Sequence, residues 1–205
     1  MSTPKKLVVI TSATGSQGIS IVKHLLQHHK TQYNVRALTR NTSSTQALSL
    51  SALGAEVVSA DFDDESSLTN AFAGANVIFA NTNFWESLSL EKEVLQGLAI
   101  AAAAAKTESL ENFIYSGLGD ARILFGGKYQ GNLPYNAKSI VLEEIAARYP
   151  SVARVMTVVT IGFYMENWLK YQAAFGPTKV KYFPQAYVMI RNILMDSRLE
   201  MVFMS

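Results

Sequence analysis

Short aliphatic runs recur along the chain, and each is followed by small or polar residues and then by a stretch with helical spacing. Leu7 to Ile10 is the first. Uninterrupted apolar residues over so short a length read as a strand buried on both faces. Ser16 to His29 follows, with Ile19, Val22 and Leu26 on one helical face. Strand, small-residue turn and amphipathic helix make the first half of a βαβ unit. Further strands are expected at Val35 to Leu38, Ala55 to Ala60, Val77 to Ala80, Phe113 to Ser116 and Val155 to Ile161.

Two later helices are the clearest. Leu90 to Ala105 spaces Leu90, Val94 and Leu98 four apart, and Lys138 to Arg148 turns Val141, Leu142 and Ile145 inward. The alanine-rich run from Ala99 to Ala105 suits a helix packed close to a sheet. Regular alternation predicts an α/β fold: a Rossmann-type doubly wound parallel sheet with helices on both faces. Its ligand crevice is expected at the carboxyl ends of the strands. From about Gly176 the alternation fails, and four of the seven methionines fall in 189–204. Residues 1–170 are therefore read as a cofactor-binding domain, and 171–205 as an apolar tail left from a shortened substrate region.

Composition narrows the classes. The chain has 205 residues, 49% hydrophobic and 17% charged, with no cysteine and a net charge of +2. That fits one domain of ordinary size and excludes a disulfide framework, a thiolate metal site and a cysteine nucleophile. No apolar run reaches the roughly 18 residues that a membrane helix needs. The start, with Lys5 and Lys6 before Leu7, is too short for a secretion signal. A soluble protein is expected, in the cytoplasm or also in the nucleus, without a membrane partner.

The small net charge hides an asymmetry. Residues 1–55 hold no Asp or Glu, but contain Lys5, Lys6, Lys23, Lys30, Arg36 and Arg40 together with all three histidines. Such a basic segment marks where an anion sits. The turn after the first strand supplies a candidate: Ser12, Ala13, Thr14, Gly15, Ser16, Gln17 and Gly18. In a G-x-x-G-x-x-G loop the glycines permit a tight turn and close approach to a pyrophosphate, and the helix N-terminus aims free N–H groups at it. Gly15 and Gly18 stand in register, with Ser12 at the first glycine position. The serine is expected to keep a negative φ and to offer its hydroxyl to a phosphate. An ordinary βα turn is the bland alternative.

The second strand distinguishes the cofactors. An NAD site places an acid near its end, and a 2′-phosphate calls for cations. Val35 to Thr42 contains Arg36 and Arg40 and no acid, so NADP(H) is expected. Arg40, just past the strand, is the better clamp, and Arg36 lies within the strand. Nothing resembles a basic helix interleaved with aromatics, so direct nucleic-acid binding is not expected. His24 and His28 lack the Glu and third ligand of a zinc site, so no metal is assigned. Ser116 lies at a strand end without a G-x-S-x-G elbow, which argues against a hydrolase.

These segments together resemble the NmrA-like family, an atypical branch of the short-chain dehydrogenase/reductase superfamily. Ala13 to Gly18, Val35 to Asn41, Asp61 to Asp64, Thr82 to Glu86, Tyr115 to Leu118, Lys138 and Phe163 to Asn167 carry the likeness, in family order over residues 5–170. The resemblance implies NADP(H) held by the Ser12 to Gly18 loop, Arg36 and Arg40, with Asp61 and Phe62 near the adenine. It implies Thr82, Asn83, Lys138, Tyr164, Met165, Glu166 and Asn167 on the nicotinamide side. Bland readings stand beside these. Asp61 could cap the helix beginning near Glu65, Asn83 could hold a turn, and the Tyr164 segment could open a helix with Trp168 in the core.

Two departures bear on chemistry. The superfamily's Tyr-x-x-x-Lys pair has Pro134 at its tyrosine position, and Tyr135 stands one residue later, turned by about 100° on a helix. Lys138 is left as the candidate catalytic acid/base. Residues 176–205 are also too few for the family's substrate region. The resemblance thus implies either an NADPH-dependent oxidoreductase acting on a small carbonyl or enone, or a non-catalytic NADP(H) sensor that regulates through a protein partner. A homodimer sharing its substrate pocket is a further expectation.

Overall fold

The computed structural model describes residues 4–124, 126–128 and 131–170. The alternation begins with β1 (Lys6–Ile10), α1 (Ser16–His28), β2 (Tyr33–Thr39), α2 (Thr45–Ala52) and β3 (Glu56–Ser59). It continues with α3 (Glu65–Phe72), β4 (Val77–Ala80), α4 (Phe84–Ser87), α5 (Leu90–Ala105) and β5 (Asn112–Gly117). The helices α6 (Ala121–Leu124), α7 (Leu133–Arg148) and α8 (Pro150–Ala153) precede β6 (Met156–Thr160), and α9 spans Asn167–Lys170. All pairings in the sheet are parallel, in the order β3-β2-β1-β4-β5-β6. The expected Rossmann-type doubly wound sheet is therefore present. Its strand order reverses between β1 and β4, the switch point at which such sheets open a crevice.

The pleat sends alternate residues of β1 to opposite layers. Val8 and Ile10 join Val22 and Leu26 of α1 and Leu50 of α2. Val9 faces the other way, into a larger core with Phe72 of α3, Ile100 and Ala104 of α5, and Val141 and Ile145 of α7. The strands match the apolar runs to within two residues at each end.

α5 departs from its expected face. Leu90, Val94 and Leu98 are half-buried flanks, and the buried face is Glu93, Gly97, Ile100, Ala101 and Ala104. The helix lies against the sheet with α3 and α7 beside it, so its tightest side takes the small residues. α7 starts at Leu133, ahead of the expected Lys138, with Pro134 in its first turn. Proline suits that turn because its missing N–H has no intrahelical partner to lose. Asp61 does not cap α3. The side chain of Asp64 accepts from the N–H groups of Ser66 and Ser67, and that of Asp61 accepts from Asp63 N in a local turn.

The chain divides into two compact units, Met1–Ile161 and Gly162–Ser205. The expected tail, 171–205, lies outside the described residues.

Candidate functional site

Parallel pairing puts the ends of β1, β2, β4 and β5 on one edge, and the first βα turn sits at the switch point. Thr11 N donates to Phe79 O and Ala13 N to Leu38 O, which seats the turn between β4 and β2. Gly15 is the extended N-cap of α1, with no side-chain cap and no acid in the first helical turn. An uncapped helix N-terminus of this kind favours an anion, through its free N–H groups and its dipole. Gly18 is required by packing: a β-carbon there would lie 2.5 Å from Ser12 O and 2.6 Å from Ala13 Cα. The turn thus has the close helix-to-strand approach that a dinucleotide loop needs.

Ser12 corrects two expectations. Its φ is +47°, in the left-handed region that costs a non-glycine residue roughly 1–2 kcal/mol. The backbone takes the glycine conformation and the serine tolerates it. Its hydroxyl donates to Asn81 O at 2.9 Å, so it secures the loop to the end of β4 and is not aimed at a phosphate. Thr11 shares that anchor, accepting from Asn81 N at 2.8 Å through its hydroxyl.

The two arginines separate. Arg36 does not reach the crevice. Its guanidinium donates to Glu56 at 2.9 Å and to the carbonyls of Ala71 and Ala73 at 2.9 and 3.0 Å. Those carbonyls close α3, and a helix antiparallel to the strands ends at the amino edge of the sheet, away from the loop. Arg36 is a C-terminal cap. Arg40, at the carboxyl edge, is exposed and paired with Glu86 of α4. That pair reaches from the end of β2 to the residues after β4, and β1 with its loop lies between those strands. Asp61 is exposed after β3, and Phe62 packs partly against the larger core.

Beyond the loop, β4 delivers Asn81, Thr82 and Asn83. Asn83 is exposed and is the N-cap residue of α4. Thr82 is buried, and its hydroxyl donates to Glu93 Oε1 at 2.6 Å. Lys138 enters from α7 with its Nζ 3.1 Å from Thr82 Oγ1, 3.3 Å from Thr82 O and 3.2 Å from Asn81 Oδ1. The same ammonium is 3.2 Å from Glu93 Oε1 and lies over the Tyr115 ring, 5.8 Å from its centroid. Burial pushes the Lys138 pKa down, against the pull of the Glu93 charge and hydrogen bond. Burial, reinforced by Glu93, pushes the Tyr115 phenol up. A continuous line of contacts thus runs from the first βα turn through Asn81 to a buried lysine. Tyr164, Met165, Glu166 and Asn167 belong to the second unit, where Asn167 N donates to Tyr164 O at 3.0 Å and Trp168 N to Met165 O at 3.2 Å as α9 begins.

Thr11, Asn81 and Glu93 escaped the sequence reading. Glu93 carries a detectable signal, since Gly97, Ile100, Ala101 and Ala104 follow it at the spacings of one helical face. Lysine and carboxylate could neutralise each other there, whereas either alone would be expensive to bury.

The sequence profile of the NmrA-like family matches residues 4–182. The NmrA-like family domain-containing oxidoreductase cpsB of Aspergillus campestris is 42% identical over 119 residues, 56% of this chain and 34% of the relative. The NmrA-like family domain-containing oxidoreductase himF of Aspergillus japonicus is 30% identical over 210 residues, 98% of this chain and 60% of the relative. The chain therefore spans at most 60% of the length of either of these relatives. Among solved structures, NmrA, a negative transcriptional regulator, superposes with a TM-score of 0.67 at 22% identity, covering 80% of this chain and 48% of that one. The Citrobacter sp. triphenylmethane reductase complexed with NADP(H) gives 0.62 at 19% identity, covering 82% and 53%. Both carry the fold.

Proposed function

Because the chain belongs to the NmrA-like family, we propose that it is the cofactor-binding part of an NADP(H)-dependent oxidoreductase acting on a small carbonyl or enone. The observation that carries this reading is the placement of Lys138, a buried lysine at the carboxyl edge of the sheet joined to the first βα loop through Asn81. The relatives' description as oxidoreductases supports it, as does the solved neighbour complexed with NADP(H).

The loop from Ser12 to Gly18 would hold the pyrophosphate, with the α1 N-terminus facing the charge. Arg40 would take the 2′-phosphate by exchanging its exposed carboxylate partner for a doubly charged one. Asp61 and Phe62 would stand on the adenine side. Bound NADPH supplies the hydride that the protein itself lacks. Lys138, held by Thr82, would then donate a proton to the substrate oxygen and regain one from solvent. Pro134 at the usual tyrosine position leaves this role to the lysine.

A second reading, a non-catalytic NADP(H) sensor with a protein partner, is favoured by the saturation of Lys138. Its three protons already meet four acceptor atoms of the protein. Titrating the purified protein with NADPH, NADP⁺ and NADH, and following nicotinamide absorbance with aldehydes, ketones and enones, tests both. Oxidation of NADPH by one substrate class is the expected result. Binding without turnover, with unequal affinity for NADPH and NADP⁺, selects the sensor. Absence of NADPH binding removes both.

A further inference from the structure

The face that α5 turns to the core carries a carboxylate where a small or apolar residue would ordinarily stand. Glu93 is 1% exposed. Its Oε1 receives the Thr82 hydroxyl proton at 2.6 Å and lies 3.2 Å from Lys138 Nζ. Its Oε2 has no hydrogen-bond partner among the described residues. Thr82 has one hydroxyl proton and directs it to Glu93, so the same oxygen meets Lys138 as an acceptor. The hydrogen bonds therefore fix a direction, with both donors pointing at Oε1. The Thr82 hydroxyl and the Lys138 nitrogen thus converge on one oxygen of a buried acid.

Four elements surround the Lys138 nitrogen. The end of β4 contributes Asn81 and Thr82, α5 contributes Glu93, and β5 contributes the face of Tyr115. On α7 itself, Glu143 and Glu144 lie outward, beside Arg122 and Arg148. Glu93 is thus the charged counterpart of Lys138 among the described residues.

We infer that Glu93 is a positioning residue that sets both the place and the charge of Lys138, holding it as an ammonium against the end of β4 and preventing it from standing in the crevice as a free amine. The assignment of a chemical role to Lys138 rests on the oxidoreductase reading; the coupling of Glu93 to its charge does not. Two physical terms oppose each other here. Desolvation favours the neutral amine, and the carboxylate restores the cation. With Glu93 in place, Lys138 presents a proton to a substrate oxygen or an N–H to a ribose hydroxyl. With the carboxylate gone, desolvation would be unopposed and the same buried nitrogen would give up its proton at lower pH.

The test reads the nitrogen directly in the whole protein. Proton–nitrogen correlation spectra of ¹⁵N-labelled protein, with the Lys138 signal assigned by its loss in Lys138→Met, follow the side chain from neutral pH upward. The wild type is expected to show an ammonium at neutral pH. Glu93→Gln is expected to lower the titration midpoint by about one unit or more, and Glu93→Asp to recover most of that loss, which a general packing defect would not do. A neutral amine in the wild type near pH 7, or an unchanged midpoint in Glu93→Gln, overturns the inference. The wild-type spectrum decides the first point even where Glu93→Gln does not fold. Loss of NADPH binding in every form would remove the oxidoreductase reading and leave these spectra to judge Glu93 alone.

Discussion

Gly97 and Val141 meet without room for a β-carbon. One built on Gly97 would lie 2.6 Å from a methyl of Val141, whose side chain is fully buried. This contact sets the spacing of α5 and α7, the helices that carry Glu93 and Lys138. Gly97→Ala gains helix propensity, about 1 kcal/mol, but forces a β-branched side chain with nowhere to go, at a cost of about 1–3 kcal/mol. The expected net effect is destabilisation, read as a lower urea midpoint at unchanged slope. Val141→Ala in the same chain should restore part of the loss. Simple additivity of the two substitutions would show that this contact does not set the spacing.

The arginines give a crossed prediction. Arg36 ties β2 to β3 and caps α3, so Arg36→Met is expected to lower stability by about 1.5–3 kcal/mol, the range for a lost hydrogen bond to a charged group. Its preference for NADPH over NADH should stay as in the wild type. Arg40→Ala removes an exposed pair worth at most about 1 kcal/mol to folding, yet it should reduce NADPH affinity about tenfold or more while NADH changes little. Denaturation curves and nicotinamide fluorescence titrations on both variants separate the two roles. An NADPH preference that survives Arg40→Ala removes that residue from the 2′-phosphate site.

This pair also marks where the sequence was readable. Both arginines lie in or beside β2, and only the sheet's edge decides between them. Residue type marked both as candidates for an anion, but the direction of each side chain depends on which helix ends beneath it. The strands were legible because a parallel sheet covered on both faces leaves uninterrupted aliphatic runs such as Leu7 to Ile10. Ser12 was legible as a position and misread as a conformation, because αL geometry at a serine leaves no mark in composition. Glu93 was passed over because an acid on a helix ordinarily faces solvent, and its phase with Gly97 and Ile100 becomes informative only when paired with a distant lysine.

Gly18 leaves no room for a β-carbon between α1 and the first turn. Gly18→Ala places its methyl against the backbone of Ser12 and Ala13, which cannot rotate aside as a side chain can. The expected result is a shift of α1 away from β1, destabilisation by about 2 kcal/mol and loss of both NADPH and NADH binding. Gly15→Ala is milder, since its β-carbon would be 3.2 Å from Ser12 O and its φ is −84°. Equal dinucleotide affinity in Gly18→Ala and the wild type would exclude this turn from cofactor binding.

Acid stability should depend on Asp120. The side-chain hydrogen bonds from Arg122 hold its carboxyl at a pKa of about 2, below the usual value near 4 of an unfolded chain. The folded pKa is the lower of the two, so the unfolded state binds more protons between them. The contribution is complete above about pH 4 and fades as pH falls towards 2. Urea midpoints measured across that window should decline less steeply in Asp120→Asn than in the wild type. Parallel profiles would mean that the pair does not persist in solution.

The buried pair finally predicts non-additivity. Lys138→Met leaves the Glu93 carboxylate buried without its cation, a situation that costs about 3–5 kcal/mol. Replacing both residues, as Glu93→Leu with Lys138→Met, removes the uncompensated charge and leaves apolar side chains next to Tyr115. The double variant should therefore be more stable than Lys138→Met alone, although it lacks more native contacts. Both variants lack the Lys138 nitrogen, so stability should recover from Lys138→Met to the double variant while whatever that nitrogen does for the nicotinamide stays lost. Chemical denaturation of the two single variants, the double variant and the wild type closes the cycle. A double variant no more stable than Lys138→Met would mean that Glu93 is not charged when its partner is absent.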